Sequence, residues 1–251
     1  MASLQLSHET RQRIKRFSRT VGFDEPLRKA YVAVDRDRRR NAKDDDHLRV
    51  ALAVALEADS NCIDVGAHAG DVLRDMVRLS PRGRHLAFEP LPGFQAELRR
   101  RFPQVEVHGL ALSDRAESTT FAHVVSDPGY SGLRRRPYPG EPEVEEIPVQ
   151  TARLDDVLPG GYVPRFIKID VEGAELQVMR GALDTLRRHR PTVYFEHSSA
   201  ACAAYDATSR EVYDLLTGEG GLRVFDVDGN GPLSAAEFTG PQRVWNFIAG
   251  R

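Results

Sequence analysis

Asn61-Cys62-Ile63-Asp64-Val65-Gly66-Ala67-His68-Ala69-Gly70 is the stretch whose reading decides the fold. Cys62, Ile63 and Val65 form a short apolar run that reads as a buried strand. Gly66 then permits a positive φ and a close backbone approach, and Gly70 lets a following helix pack near the turn. From Asp71 the apolar residues Val72, Leu73, Met76 and Val77 fall at helical spacing. A strand, a glycine turn and a helix in this order aim backbone N–H groups and the positive helix end at an anionic ligand group. In open α/β sheets such a crevice lies outside the carboxyl ends of the strands.

The ligand is narrowed by spacing. A nicotinamide or flavin site needs G-x-G-x-x-G, because a pyrophosphate lies against bare backbone. Here the spacing is G-x-x-x-G, so a nicotinamide-dependent oxidoreductase is disfavoured. His85-Leu86-Ala87-Phe88-Glu89-Pro90 reads as the next strand, with an acid at its end. Glu89 stands 25 positions after Asp64, near the ~20-residue offset at which an acid meets a ribose hydroxyl pair. A turn with such an acid but without the pyrophosphate spacing points to S-adenosylmethionine. An ordinary strand–helix turn remains the plain alternative, as does an adenosine-ligand module without catalysis.

The chain of 251 residues can hold one large α/β domain. Its 41% hydrophobic and 29% charged residues describe an ordinary globule, and a formal charge of −2 gives no general pull toward nucleic acid or membrane. A methyltransferase acting on nucleic acid is disfavoured on that ground and by the lack of a basic, aromatic-rich arm. Cys62 and Cys202 have no zinc spacing, so a reducing compartment is the default. Residues Met1 to Gln12 lack the apolar core of a signal peptide, and no run reaches the ~20 residues of a membrane span. A cytoplasmic protein is expected. Oligomeric state is left open.

Residues 1–59 read as a charged, helical cap on a domain spanning 60–251. Ile14, Phe17 and Val21 make a sparse stripe, and Leu48, Ala51, Leu52, Ala55 and Leu56 a stronger one. Arg38 to Arg40 read as part of a solvated, mutually paired face rather than a phosphate contact. Val105 to Val107 begin a third strand that continues toward Ala111-Leu112-Ser113-Asp114, and a short strand follows around Thr119 to Val124. Residues 126–148 carry five prolines, Arg134 to Arg136, Tyr130 and Tyr138, which suits a substrate lid; a surface loop is the alternative. Phe166 to Asp170 and Pro191 to Glu196 read as buried strands flanking a helix with Leu176, Met179, Leu183 and Leu186 on one face. Leu222 to Asp226 and Val244 to Ile248 read as a closing strand pair. Strands alternating with helices argue a mainly parallel sheet.

Ile63 to Gly70, Phe88-Glu89-Pro90-Leu91-Pro92, Ala111 to Asp114 and above all Lys168-Ile169-Asp170-Val171-Glu172-Gly173-Ala174-Glu175 together resemble FkbM-family methyltransferases. The resemblance covers roughly residues 48 to 250. It implies a Rossmann-like class I methyltransferase fold of seven strands with the last antiparallel. It also implies transfer of a methyl group from S-adenosylmethionine, usually to a hydroxyl on a sugar or natural product. Carried over, Asp64, Gly66 and Gly70 face the methionine end, Glu89 the ribose, and Ser113 and Asp114 the adenine. His68 stands where the family often has Asn.

For the chemistry, Asp170 and His197 end consecutive predicted strands, and a histidine pKa near ~6.5 suits a general base. Tyr130, Glu172 and Glu196 are candidates for contacts with a small hydroxylated acceptor. Glu172 and Glu175 could equally be favourable acids in a helix first turn. Asp170 with Glu172 or Glu196 could hold a divalent metal, but no dedicated ligand spacing favours this. Asp226 to Glu237 imitates the spacing of a calcium-binding loop. Its glycine-rich, β-type lead-in, Gly218 to Phe225, and Pro232 argue for a strand turn instead.

Overall fold

The computed structural model describes residues 36–138, 141–241 and 244–251; the stripe of Ile14, Phe17 and Val21 lies outside them. A compact unit runs from His47 to Arg251, and Met1–Asp46 is a second unit. Helix α1 (Arg36–Ala55) crosses that boundary. Within the first unit Arg40 pairs with Asp44 one turn along, at 2.7 Å. In the second unit Leu48 and Leu52 are buried in the core, so residues expected in a cap are part of the main domain's packing.

Seven strands form the main sheet: β1 (Asn61–Val65), β2 (His85–Phe88), β3 (Glu106–His108), β7 (Pro164–Ile169), β8 (Thr192–Glu196), β9 (Arg223–Asp226) and β10 (Asn246–Gly250), in the spatial order β3-β2-β1-β7-β8-β10-β9. The first five are parallel, and β10 is antiparallel to both β8 and β9. Between them run α2 (Asp71–Leu79), α3 (Pro92–Arg101), α4 (Leu154–Val157), α5 (Glu175–Gly181), α6 (Leu183–His189), α7 (Ser199–Ala203), α8 (Ser209–Asp214) and α9 (Ala235–Thr239). Among the described residues no helix is long and apolar enough to cross a membrane.

The strands alternate side chains between two cores, which is why they are apolar almost throughout. Ile63, Val65, Phe88, Ile167, Ile169, Val193 and Phe195 face one side, against Leu176, Met179, Leu186 and Val212. Cys62, Ala87, Phe166 and Tyr194 face the other, against Leu48, Leu52, Leu73, Met76 and Leu98. Each fully buried large side chain contributes about 1.5–3 kcal/mol of transfer free energy.

Two segments differ from the sequence reading. The third strand stops at His108, and Ala111–Leu112 (β4) pairs instead with Thr151 and Ala152 of β6 (Val144–Ala152) in a second sheet, ordered β4-β6-β5 with β5 at Ser118–Val124. The proline-rich stretch is shorter than its composition suggests, because its end from Val144 is strand. Pro148 fits there since β6 is paired at that point with Thr120 of β5 and meets β4 only from Thr151 onward.

The calcium-like segment follows strand β9. Asp226 accepts from the Asn230 N–H and side-chain amide at 2.8 and 2.7 Å, and Glu237 caps α9 by a reciprocal bond with Ser234. Its first and twelfth acids therefore hold a turn and a helix end. Thermal melts in millimolar calcium and in chelator are expected to coincide, whereas native-state binding at 100 times the dissociation constant adds ~2.7 kcal/mol. An upward shift that disappears in Asp228→Ala contradicts this.

Candidate functional site

The site lies along the carboxyl ends of β2, β1, β7 and β8. After Val65 the chain turns through Gly66 (φ 74), His68 (φ 46) and Gly70 (φ 78) into α2. A Cβ on Gly66 would run into the Asp170 carbonyl oxygen, and one on Gly70 would lie 2.6–2.7 Å from Leu98 and Phe102; both glycines are required sterically. The Gly66 and Ala67 N–H groups donate to Phe88 O at 3.0 and 3.2 Å, tying the turn to β2. Helix α2 starts at Asp71 directly after the turn, with no cap from the side chain of its N-cap residue Gly70, so the positive end of its dipole lies at the turn.

Glu89 is buried at the end of β2. Its Oε2 accepts from His68 N–H and its Oε1 from Leu91 N–H, each at 2.8 Å. Each oxygen keeps a lone pair for a further donor. Burial, opposed by those two N–H groups, raises its pKa. The His68 ring packs on Phe94 with centroids 3.9 Å apart, and burial and then the Lys168 charge lower its pKa. Ser113 follows β4, its N–H bonded to Ala152 O at 2.9 Å and its hydroxyl 3.3 Å from Asp114. Asp114 also pairs with Arg115 at 3.3 Å.

Asp64 sits beneath the turn, with almost no exposed surface. In register beside it is Lys168 of β7, whose Nζ lies 3.5 Å from Asp64, 3.3 Å from Asp170 and 2.8 Å from Gly66 O. Burial alone would lower the Lys168 pKa, but the Asp170 and Asp64 charges outweigh it and raise it. Sequence reading assigned this lysine no task.

Ile169 is opposite Phe195, so Asp170 and Glu196 leave neighbouring strands side by side. Val171 N–H and Gly173 N–H donate to buried Glu175, which ties the next turn together. That turn holds Glu172 at φ 60 and Gly173 at φ 109, bringing Glu172 over the pair. Asp170, Glu172 and Glu196 each place one oxygen within 4.8 Å of the others, near enough to share one cation.

The loop between β5 and β6 reaches the same place. Arg136 forms an ion pair with Glu172, and its guanidinium lies 5.0 Å from the centre of the Tyr130 ring. Tyr130 is 37% exposed. The loop is tied down by Arg134, which pairs with Asp206 and donates its N–H to the Tyr205 hydroxyl at 3.1 Å. Arg136 and Tyr205 carry no sequence motif. The arginines and tyrosines of the proline-rich loop were the signal for Arg136, whereas Tyr205, outside that loop, had none.

His197 is elsewhere. It follows Glu196 by one position, and that single step turns it to the opposite face of the sheet. There it is fully buried, stacked on Phe238 at 5.1 Å, with Nε2 2.8 Å from Ser209 Oγ. Burial pushes its pKa down to about 4. It is a neutral core residue that does not face the acids.

Those acids set an expected pH dependence. Burial and then the Asp170 charge push Glu172 up to about 8. Burial pushes Glu175 up to about 7, and burial with the Asp170 and Glu172 charges raises Glu196 well above the ordinary range. A carboxyl with a raised folded pKa binds its proton more tightly when folded, so its contribution is present at low pH and lost as pH rises. The histidines whose pKa values are lowered, buried His85 and His197 and exposed His68, act oppositely but only below ~6.5. Urea unfolding is therefore expected to show stability falling from about pH 6.5 to 8, by up to ~1.4 kcal/mol per pH unit for each titrating group. Glu172→Gln should flatten the slope, and stability that rises across this window contradicts it.

The FkbM methyltransferase domain matches residues 64–220. The 2-O-methyltransferase NoeI of Sinorhizobium fredii (strain NBRC 101917 / NGR234) is 28% identical over 185 residues, covering 67% of this chain and 75% of NoeI. The AMB antimetabolite synthetase AmbE of Pseudomonas aeruginosa is 29% identical over 209 residues, covering 66% of this chain but spanning only 10% of AmbE. Among solved structures, the methyltransferase FkbM from Methylobacillus flagellatus KT superposes with a TM-score of 0.50 at 17% identity, over 78% of this chain and 44% of that one, a likeness of fold.

Proposed function

The chain belongs to the FkbM methyltransferase family, and from that premise we propose that it transfers the methyl group of S-adenosylmethionine to a hydroxyl of a small acceptor such as a sugar or natural product. The observation that carries this reading is the gathering, at the carboxyl ends of neighbouring strands, of a helix start without a side-chain cap from its N-cap residue, a buried acid with lone pairs to spare, and three clustered carboxylates. The name of NoeI, a 2-O-methyltransferase, supports the choice of oxygen as acceptor.

The residues fit this cofactor. The first N–H groups of α2 suit its carboxylate, and Glu89 can accept from both ribose hydroxyls. Ser113 and Asp114 are assigned to the adenine. When bound, the cofactor supplies a sulfonium methyl group for in-line displacement. Asp64 supports the turn through Lys168 rather than touching the ligand, and Gly66 and Gly70 keep the backbone close to it.

Residues of the chain position the acceptor and receive its proton. Effective molarities of ~10⁵ M or more make positioning the larger effect. Tyr130 offers an aromatic face, and Glu172 and Glu196 offer hydrogen-bond partners. Asp170, whose side chain is 39% exposed, takes the base role. Burial would raise its pKa, but the Lys168 charge and the hydrogen bond from Glu196 hold it low, so it is ionised and able to accept. His197 supports the fold. The loop 126–143 acts as a lid over the acceptor, anchored by Arg134 and Arg136.

Calorimetry is expected to show adenosylmethionine or adenosylhomocysteine binding, with NAD and NADP silent. Glu89→Ala should weaken binding by ~1.5–3 kcal/mol; unchanged affinity removes the acid from the site. With a turning-over acceptor, Asp170→Asn should lose ~10²–10⁴-fold in turnover per folded molecule, beyond any loss of stability. His197→Gln should do the reverse, lowering stability while folded enzyme stays active. If the two variants exchange these behaviours, the base is His197.

A further inference from the structure

The carboxylates at the ends of β7 and β8 are short of positive charge. Asp64, Asp170, Glu172 and Glu196 share two fixed cations, Lys168 and Arg136. Lys168 is already divided between Asp64 and Asp170, and Arg136 is committed to Glu172. The other titratable groups facing the cluster add no fixed cation: buried Glu175 from the start of α5, Asp127 and Tyr130 from the loop, and His68 from the turn. Asp170 and Glu196 leave neighbouring strands side by side, and one oxygen of each lies within 4.8 Å of the other and of Glu172; like charges this close do not all ionise together. The charge missing from this cluster is thus held as a proton.

The cluster also adjoins the glycine turn. The Asp170 carbonyl fills the space beside Gly66, and its N–H donates to Val65 O at 3.2 Å. On the reading that the methionine end of the cofactor lies at that turn, we propose that Asp170, Glu172 and Glu196 make the protein favour the charged sulfonium donor over the neutral thioether product. The cluster gives up its proton when the sulfonium arrives. At transfer the carbon–sulfur bond breaks with its electron pair left on sulfur, and the acceptor oxygen forms the new bond to carbon. The acceptor proton passes to the carboxylates, which regain what they had released. The raised pKa of Glu196 and that of Glu172, at about 8, agree with a proton bound near neutral pH.

The test is titration calorimetry of the full chain near pH 7, with chelator present throughout and in buffers of different ionisation enthalpy. Adenosylmethionine is expected to release on the order of one proton more than adenosylhomocysteine, the amino acid end common to both cancelling. The affinity ratio of the two should then rise up to ~10-fold per pH unit between about pH 6 and 8. Glu196→Gln, which preserves shape without an ionisable group, should reduce both effects, with Glu172→Gln as a second probe. Equal proton counts and a ratio flat in pH overturn the inference while leaving the cofactor in place. Failure of both ligands to bind overturns the cofactor reading instead.

Discussion

One ammonium group holds this site together. Lys168 Nζ joins Asp64 of β1 to Asp170 beyond β7 and also bonds the Gly66 carbonyl. It therefore fixes two strand ends and the first residue of the turn at once. At about 4 Å an ion pair is worth ~4 kcal/mol with an effective dielectric near 20. The net effect is smaller, because burying the three charges costs solvation. What matters more is the asymmetry: without the lysine, two carboxylates would face each other beneath a turn. Removing one partner of a buried pair typically destabilises by ~3–5 kcal/mol. This contact ties Gly66 and Asp170 together across the ends of β1 and β7.

From there the site spreads along the sheet edge by register. The Gly66 and Ala67 N–H groups tie the turn to β2, and His68 N–H orients Glu89. On the other side, pairing of Ile169 with Phe195 sets Asp170 against Glu196. The crowding of acids there is unfavourable for folding alone, and burial raises the pKa of Glu172, Glu175 and Glu196. Such local strain is common where a protein is prepared for a ligand. Here the ligand assigned to it is a cation.

Much of this was legible from residue type and spacing. The strand, turn and helix at Asn61 to Leu79, the acid ending β2 and the closing strand pair follow from short apolar runs broken by glycine, while the antiparallel direction of the last strand was implied by the family resemblance. The block from Lys168 to Glu175 marked the second half of the site. Other features depend on packing that spacing does not carry. His197 and Glu196 differ by one position, and only the pleat decides which faces the crevice. β6 was hidden by Pro148, which is tolerated because of where β4 stops. Arg136 meets Glu172 across a loop of irregular shape, a contact with no period in the chain. Leu48 and Leu52 show a helical stripe, but not that the stripe belongs to the main core.

The most direct measurement is a crystal structure of the protein with adenosylhomocysteine bound. The expected result has the ribose hydroxyls on Glu89, the amino acid carboxylate at the first N–H groups of α2, and the sulfur facing Asp170 and Glu196. A nucleoside bound away from Glu89, or a sulfur turned away from those carboxylates, contradicts the placement on which the site rests.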